Sequence, residues 1–413
     1  MNFFILAFYW FSILSYFLIL ILPTQNRFLF SAILLLPLFL IFLKKAKSSF
    51  ENIKKIPLSY YLVLLLYLSI GIYAMHLRWV AEPYGMWDAW VNWNLKAKII
   101  ANEFLYTSRV NFANESWVLR DYPLAISMLH ASFSIILGGW TEGISYFIQT
   151  IFFLVIGGLF VLYAYSKKLH YMHLLFPLLF LGMNGQFLNI ASDLCAEMAL
   201  GCFIVFIYYS LITKNEEDFN GTKFLLRIGF LFATPMILKN EGLIHSLIFL
   251  FSYSVFLFYK RDSFFLKKIV LLLIPFLLLF IILVVWKYTG NKLLPDAYIQ
   301  NSNTQILDWE LIRSKLSFIQ IYIVNFHYYT MSGVFIIAIL SSLLTKKIEF
   351  ILVCIHLILI LIIYNLIFVF SVLDISWHLH TAYIRIHAAL IAPVVFLIWT
   401  SVTTLLTESK QKI

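Results

Sequence analysis

Apolar residues in this chain come in long, nearly unbroken runs, not in the short alternations of a soluble strand or amphipathic helix. Runs near 3–22, 28–43 and 58–77 come first. Others lie near 141–165, 170–187, 192–212, 223–238, 241–259 and 265–286, and the last near 317–344, 348–372 and 382–406. A helix needs about 20 apolar residues to cross the hydrocarbon core of a bilayer, and most of these runs approach that length. Two more polar segments, 78–140 and 287–316, interrupt the series. The pattern predicts an all-α, polytopic transmembrane helix bundle of about twelve spans. Two helices and a basic loop occupy 1–57, the main bundle 58–406 and a short tail 407–413.

Composition agrees with the pattern. Apolar residues make up 62% of the chain and charged residues only 12%, about half the charged share of a soluble domain. The net charge of +10 would suit nucleic acid, but its placement explains it otherwise. Lysines and arginines gather in the connectors "KKAKSSFENIKK" (44–55), "SKKLH" (166–170), "TKNEEDFNGTK" (213–223), "YKRDSFFLKK" (259–268) and "TKK" (345–347), and in the tail. Basic short loops mark the cytoplasmic side. With these segments inside, and counting Arg227 and Glu349 at the adjoining helix starts, that side holds 18 Lys/Arg against 7 Asp/Glu, and the other side 12 against 13. Both termini are then cytoplasmic, both polar segments are outside, and no nucleic-acid partner is needed. The three cysteines (Cys195, Cys202, Cys354) lie in apolar runs without a disulfide or metal spacing.

The chemistry gathers on the outer side. In "GMWDAWVNWNLKAKII" (85–100), Trp90, Trp93, Ala97, Ile100 and Phe104 recur at helical spacing, while Asp88, Asn92 and Lys96 form a separate polar stripe. This predicts an interfacial helix with tryptophans at headgroup depth and the stripe turned to water or protein. Asp88 suits either a reactive carboxylate or a helix N-cap. "RDYPLAISMLHASFSIILGG" (120–139) is marginal as a span, and the threading closes only if it is interfacial or re-entrant. "NIASDLCAEMAL" (189–200) puts Asp193 at a helix mouth with Glu197 a turn deeper. "LKNEG" (238–242) puts Lys239 and Glu241 at a break, and "WHLHTAYIR" (377–385) gathers His378, His380 and Arg385. Each has a structural alternative: a cap for Asp193, a snorkelling end for Lys239. The two histidines make a weak metal signal without a third ligand.

Such an outer cavity suits transfer of a sugar from a polyprenyl phosphate. A carboxylate takes the proton of the attacking hydroxyl, cations hold the phosphate, and apolar and aromatic surface holds the prenyl chain and sugar. Asp88 and Asp193 suit the first task, and Lys239 and Arg385 the second.

In "WDAW", "RDYPL", "ASDLCAEMAL", "LKNEG" and "WHLHTAYIR", and in their order and sidedness, the chain resembles the GT-C superfamily of membrane glycosyltransferases. That group includes protein O-mannosyltransferases and aminoarabinose transferases, and the late element resembles a bacterial subgroup. The resemblance implies a GT-C-like fold and inversion at the anomeric carbon. It implies Asp88 as general base, Asp193 orienting the acceptor or sharing the proton, and Lys239, Arg385 and His378 facing the donor phosphate. Trp87, Trp90, Asp121, Tyr122 and Glu241 would shape the substrate site and first loop. The first loop lacks a paired acidic dipeptide, so the expected reaction uses no cofactor or metal. Expected partners are the lipid bilayer, a polyprenyl-phosphate sugar and a glycan, lipid or protein acceptor; the expected setting is a bacterial inner membrane. The competing readings are a transporter or flippase of a lipid-linked glycan and a non-catalytic membrane protein.

Overall fold

A computed structural model describes residues 2–86, 89–112, 122–213, 221–260, 264–289, 309–324, 326–370 and 379–412. Among these, all regular structure is helical. In chain order the helices are α1 (Phe3–Ile21), α2 (Arg27–Lys54), α3 (Leu58–Ala81), α4 (Leu95–Tyr106), α5 (Ala125–Leu137) and α6 (Gly143–Ser166). Next come α7 (Met172–Met183), α8 (Gly185–Ser192), α9 (Ala196–Ile212), α10 (Thr222–Leu238), α11 (Gly242–Tyr259) and α12 (Phe265–Thr289). The series ends with α13 (Trp309–Val324), α14 (Phe326–Leu344), α15 (Ile348–Phe370), α16 (Ile384–Ala388) and α17 (Ile391–Lys412).

Among the described residues, eight helices are long and apolar enough to cross a membrane, or nine if the bent pair α7–α8 counts as one span. The chain is therefore a multi-pass membrane protein. Four of the twelve expected runs take other forms. The run at 170–187 bends by 65° between α7 and α8, because the Asn184 side chain accepts the Phe187 backbone N–H at 2.9 Å and starts a new helix. The run at 192–212 yields only α9, since Leu194 adopts a left-handed φ of 62° ahead of it. The run at 223–238 forms a helix of 17 residues, and the run at 317–344 is divided between α13 and α14. Helix α5 has 13 residues, about 20 Å at 1.5 Å per residue, too short to cross. Gly138 ends it in the left-handed region (φ 87°), donating to the carbonyls of Ser134 and Ile135.

The chain divides into two compact units. The first contains Met1–Met183, Leu188–Ala199 and Val285–Lys292; the second contains Asn184–Phe187, Leu200–Val284 and Leu293–Ile413. In the first, α3 and α6 pack through small residues. Gly71 sits directly beneath the Phe153 ring, and a Cβ on Gly157 would stand 2.8 Å from Tyr67. Tyr67 and Phe153 stack at 4.1 Å with planes 6° apart. Lipid gives helices no hydrophobic reason to associate, so close approach through glycine is a main source of attraction. In the second unit, α10 and α11 form a hairpin in which Gly242 meets the Pro235 carbonyl too closely for any side chain, and Gly229 of α10 lies against the Leu272 carbonyl of α12. Outward-facing side chains such as Phe28, Leu36, Leu65, Phe251, Ile281 and Ile362 are exposed, as a lipid-facing surface requires.

Gly158 has no atom within 4 Å of its would-be Cβ, unlike its neighbour Gly157 and unlike Gly71. Gly71→Ala should destabilise the protein by roughly 1–3 kcal/mol through overpacking. Gly158→Ala should be neutral or slightly stabilising, because alanine is the better helix former. Thermal unfolding of the two variants in detergent checks the contrast.

Candidate functional site

The first polar segment begins where α3 ends. Its last turn carries Arg78, whose Nη2 lies 2.9 Å from Glu82 Oε2 and 3.1 Å from Asp193 Oδ1. Asp193 is buried in the turn between α8 and α9. That turn is also tied to the start of the segment by backbone: the Met86 N–H donates to the Asp193 carbonyl at 3.3 Å. Gly85, with φ 76°, approaches the same carbonyl so closely that a Cβ would stand 2.9 Å away, which explains glycine there. From α6, the Tyr146 hydroxyl donates to the Glu82 carbonyl at 3.0 Å, and the Gln149 amide to the Cys195 carbonyl at 3.1 Å. Three separate stretches thus meet around two carboxylates and one guanidinium.

Trp87 and Asp88, the centre of the expected site, lie outside the described residues, as do Asp121 and His378. Just beyond Asp88 the chain winds into a π-turn over Trp90–Asn94, and a second π-turn covers Leu379–Tyr383 within the "WHLHTAYIR" element. Such turns break the α-helical hydrogen-bond ladder and concentrate at functional sites; neither was legible in the residue pattern.

The expected apolar face is real: Trp93, Ala97, Ile100 and Phe104 are buried. Of the two settings expected for the polar stripe, water or protein, Asn92 and Lys96 take the second, since both are buried. Trp93 packs edge-on against Tyr122 at 5.8 Å. Lys96 lies over the Tyr122 ring at 6.0 Å. Trp90 is only partly buried, between Tyr84 at 5.2 Å and the Lys98 ammonium at 5.5 Å. Of the aromatics expected to shape the site, Trp90 stays partly exposed and Tyr122 serves packing.

Sequence reasoning overlooked a polar knot between the π-turn, α5 and α6. Ser145 donates to Asn94 Oδ1 at 2.9 Å, His130 Nδ1 lies 3.1 Å from the same oxygen, and the Asn94 amide donates to the Tyr84 carbonyl at 3.3 Å. Burial lowers His130 from its ordinary value to about 3, so the ring is neutral, with Nδ1–H facing Asn94. Arg78 was overlooked too, although an arginine four residues before an acid at the end of an apolar run is a readable pairing signal.

The second unit holds the expected cations. Lys239 occupies the α10–α11 turn, 3.4 Å from Glu241 Oε1. It is buried, so it does not snorkel to the interface. Arg385 belongs to α16, which continues directly from the second π-turn. There the Tyr383 hydroxyl donates to Asn365 of α15 at 3.3 Å, beside a cleft of about 180 Å³ lined by Phe335, Ile336, Leu361, Asn365, Tyr383 and His387. Glu197 is fully buried one residue into α9. Among the described residues, no group of three or more His, Cys, Asp or Glu side chains is placed to hold a metal ion. Compared with protein families, curated proteins and solved structures, the chain matches none.

Arg78→Met leaves Asp193 buried without its guanidinium and should cost roughly 2 kcal/mol, below the range for a fully buried pair because Arg78 is partly exposed; Arg78→Lys should recover part of this in thermal unfolding. His130 has its folded pKa depressed, so its contribution is complete above the unfolded value of 6.5 and declines as pH falls from there toward about 3. By pH 5 the loss should be about 2 kcal/mol, and His130→Gln should flatten the acid limb of the stability profile.

Proposed function

We propose that the protein is a membrane glycosyltransferase of GT-C type. In this reading it moves a sugar from a polyprenyl-phosphate donor to an acceptor on the outer face of a bacterial inner membrane, with both termini cytoplasmic. The observation that carries the reading is the hydrogen bond from the Met86 N–H to the Asp193 carbonyl, with Arg78 paired to the Asp193 side chain. It joins the two segments that bear the candidate acids, since Asp88 stands two residues beyond Met86 in the chain.

In this reading the roles divide by environment. Asp88 takes the proton of the acceptor hydroxyl as the nucleophilic oxygen attacks the anomeric carbon. Asp193 is held by the Arg78 guanidinium, so it orients the acceptor. Lys239 and Arg385 neutralise the phosphate as negative charge builds on the leaving group. The partly exposed Trp90 suits contact with a sugar, and the apolar cleft beside α16 suits part of a prenyl chain. His378 joins Lys239 and Arg385 as a donor-phosphate candidate, and Trp87, Asp121 and Glu241 are candidates for shaping the substrate site and first loop. The reaction in this form uses no cofactor.

The test is transfer by purified, lipid-reconstituted protein offered a panel of polyprenyl-phosphate sugars. Wild type should release free polyprenyl phosphate. Asp88→Asn should lose at least about 100-fold in turnover, the scale of general-base catalysis, with donor binding intact; Lys239→Met should weaken donor binding instead. Donor that binds and crosses the bilayer without turnover would replace this reading with a transporter.

A further inference from the structure

The second unit buries a line of four polar side chains that the proposed transfer does not use. The Tyr208 hydroxyl of α9 lies 2.9 Å from His356 Nδ1 of α15. His356 Nε2 lies 2.9 Å from His245 Nδ1 of α11, and His245 Nε2 lies 2.5 Å from the Tyr364 hydroxyl, again of α15. All four side chains are at most 1% exposed. Phe249 stacks on His356 at 3.7 Å with planes 7° apart, which holds the ring in line. Ionisable groups inside a membrane protein are costly and are kept chiefly where they do work. A pair of histidines that merely satisfied each other would need one contact; here all four ring nitrogens are engaged end to end.

A neutral imidazole has one N–H and one acceptor nitrogen, so the line must have a direction. In one arrangement Tyr208 donates to His356, His356 Nε2–H to His245, and His245 Nε2–H to the Tyr364 oxygen. In the other, every donor and acceptor is reversed. One proton converts the first into the second. The Tyr208 proton moves to His356 Nδ1, the His356 Nε2 proton to His245 Nδ1, and the His245 Nε2 proton to the Tyr364 oxygen, whose own proton leaves. A proton from water then restores Tyr208. Each O–H or N–H broken is matched by one formed, and no residue retains a net charge; before the next proton both imidazoles and both hydroxyls must turn back to the first arrangement.

The line also runs across the unit. On α11, His245 meets Tyr364 late in α15, while Phe249, one turn further on, meets His356 earlier in α15; the two helices are antiparallel. Tyr364 is six residues from the end of α15 at Phe370, and Tyr208 four from the end of α9 at Ile212, about 9 Å and 6 Å of helix respectively. Next to Tyr364, at 5.7 Å between rings, stands His387. Its Nδ1–H donates to the Tyr383 carbonyl at 2.8 Å, which leaves Nε2 as an acceptor, and the ring lines the cleft with Asn365 and Tyr383.

We propose that Tyr208, His356, His245 and Tyr364 form a proton path through the second unit, with the Tyr364 end next to His387, which lines the cleft. The proposal does not depend on sugar transfer. It is tested in liposomes that trap a pH-sensitive dye and are held at a potassium diffusion potential. Liposomes containing the full-length protein should change internal pH faster than protein-free ones, and Tyr208→Phe and His356→Gln should each return the rate to the protein-free level. Tyr208→Phe removes only a hydroxyl and keeps the ring, so it remains decisive if His356→Gln fails to fold. Wild-type liposomes at the protein-free rate, or Tyr208→Phe conducting like wild type, would overturn the path.

Discussion

A helix in hydrocarbon can satisfy its backbone within itself, but each polar side chain it carries must find a partner inside the protein. This constraint shapes both units. In the first it gathers Arg78, Glu82 and Asp193 with Tyr146 and Gln149 around the end of α3, and it draws Asn94, Ser145 and His130 into a second knot. In the second it aligns two tyrosines and two histidines. The surrounding surfaces are apolar and the close helix crossings are made by glycine, so these clusters are where the chain departs from what mere insertion requires.

The clusters of the first unit and the Arg385 element coincide with irregular backbone, whereas the tyrosine–histidine line lies within regular helices. Two π-turns, a left-handed Leu194 and the positive-φ Gly85 lie in or beside the segments that carry the candidate chemistry. Each one interrupts regular helix and lets a side chain or carbonyl point where a continuous helix would not allow it. Asp193 owes its position to such a turn. Its carbonyl receives the start of the first polar segment while its carboxylate receives Arg78. Backbone and side chain of one residue thus hold two distant stretches together.

The sequence by itself determined the helical class, the membrane setting and most of the span boundaries, because apolar runs of bilayer length have one stable outcome in lipid. It also marked polar segments that break the apolar runs, including the Lys239 break and the Asp193 turn. Periodicity further identified the buried face from Trp93 to Phe104, since 3.6-residue spacing is a local property. Tertiary structure alone decided partners. Arg78 and Asp193 are separated by more than a hundred residues, as are Tyr208 and His356, and no local pattern links residues so far apart in the chain. It likewise decided that Asn92, Lys96 and Lys239 are buried, because whether a polar stripe meets water or protein depends on the helix that packs against it. The bend at Asn184 and the shortening of α9 belong to the same class: hydropathy measures how apolar a run is, whereas a cap or a left-handed residue decides where its helix stops.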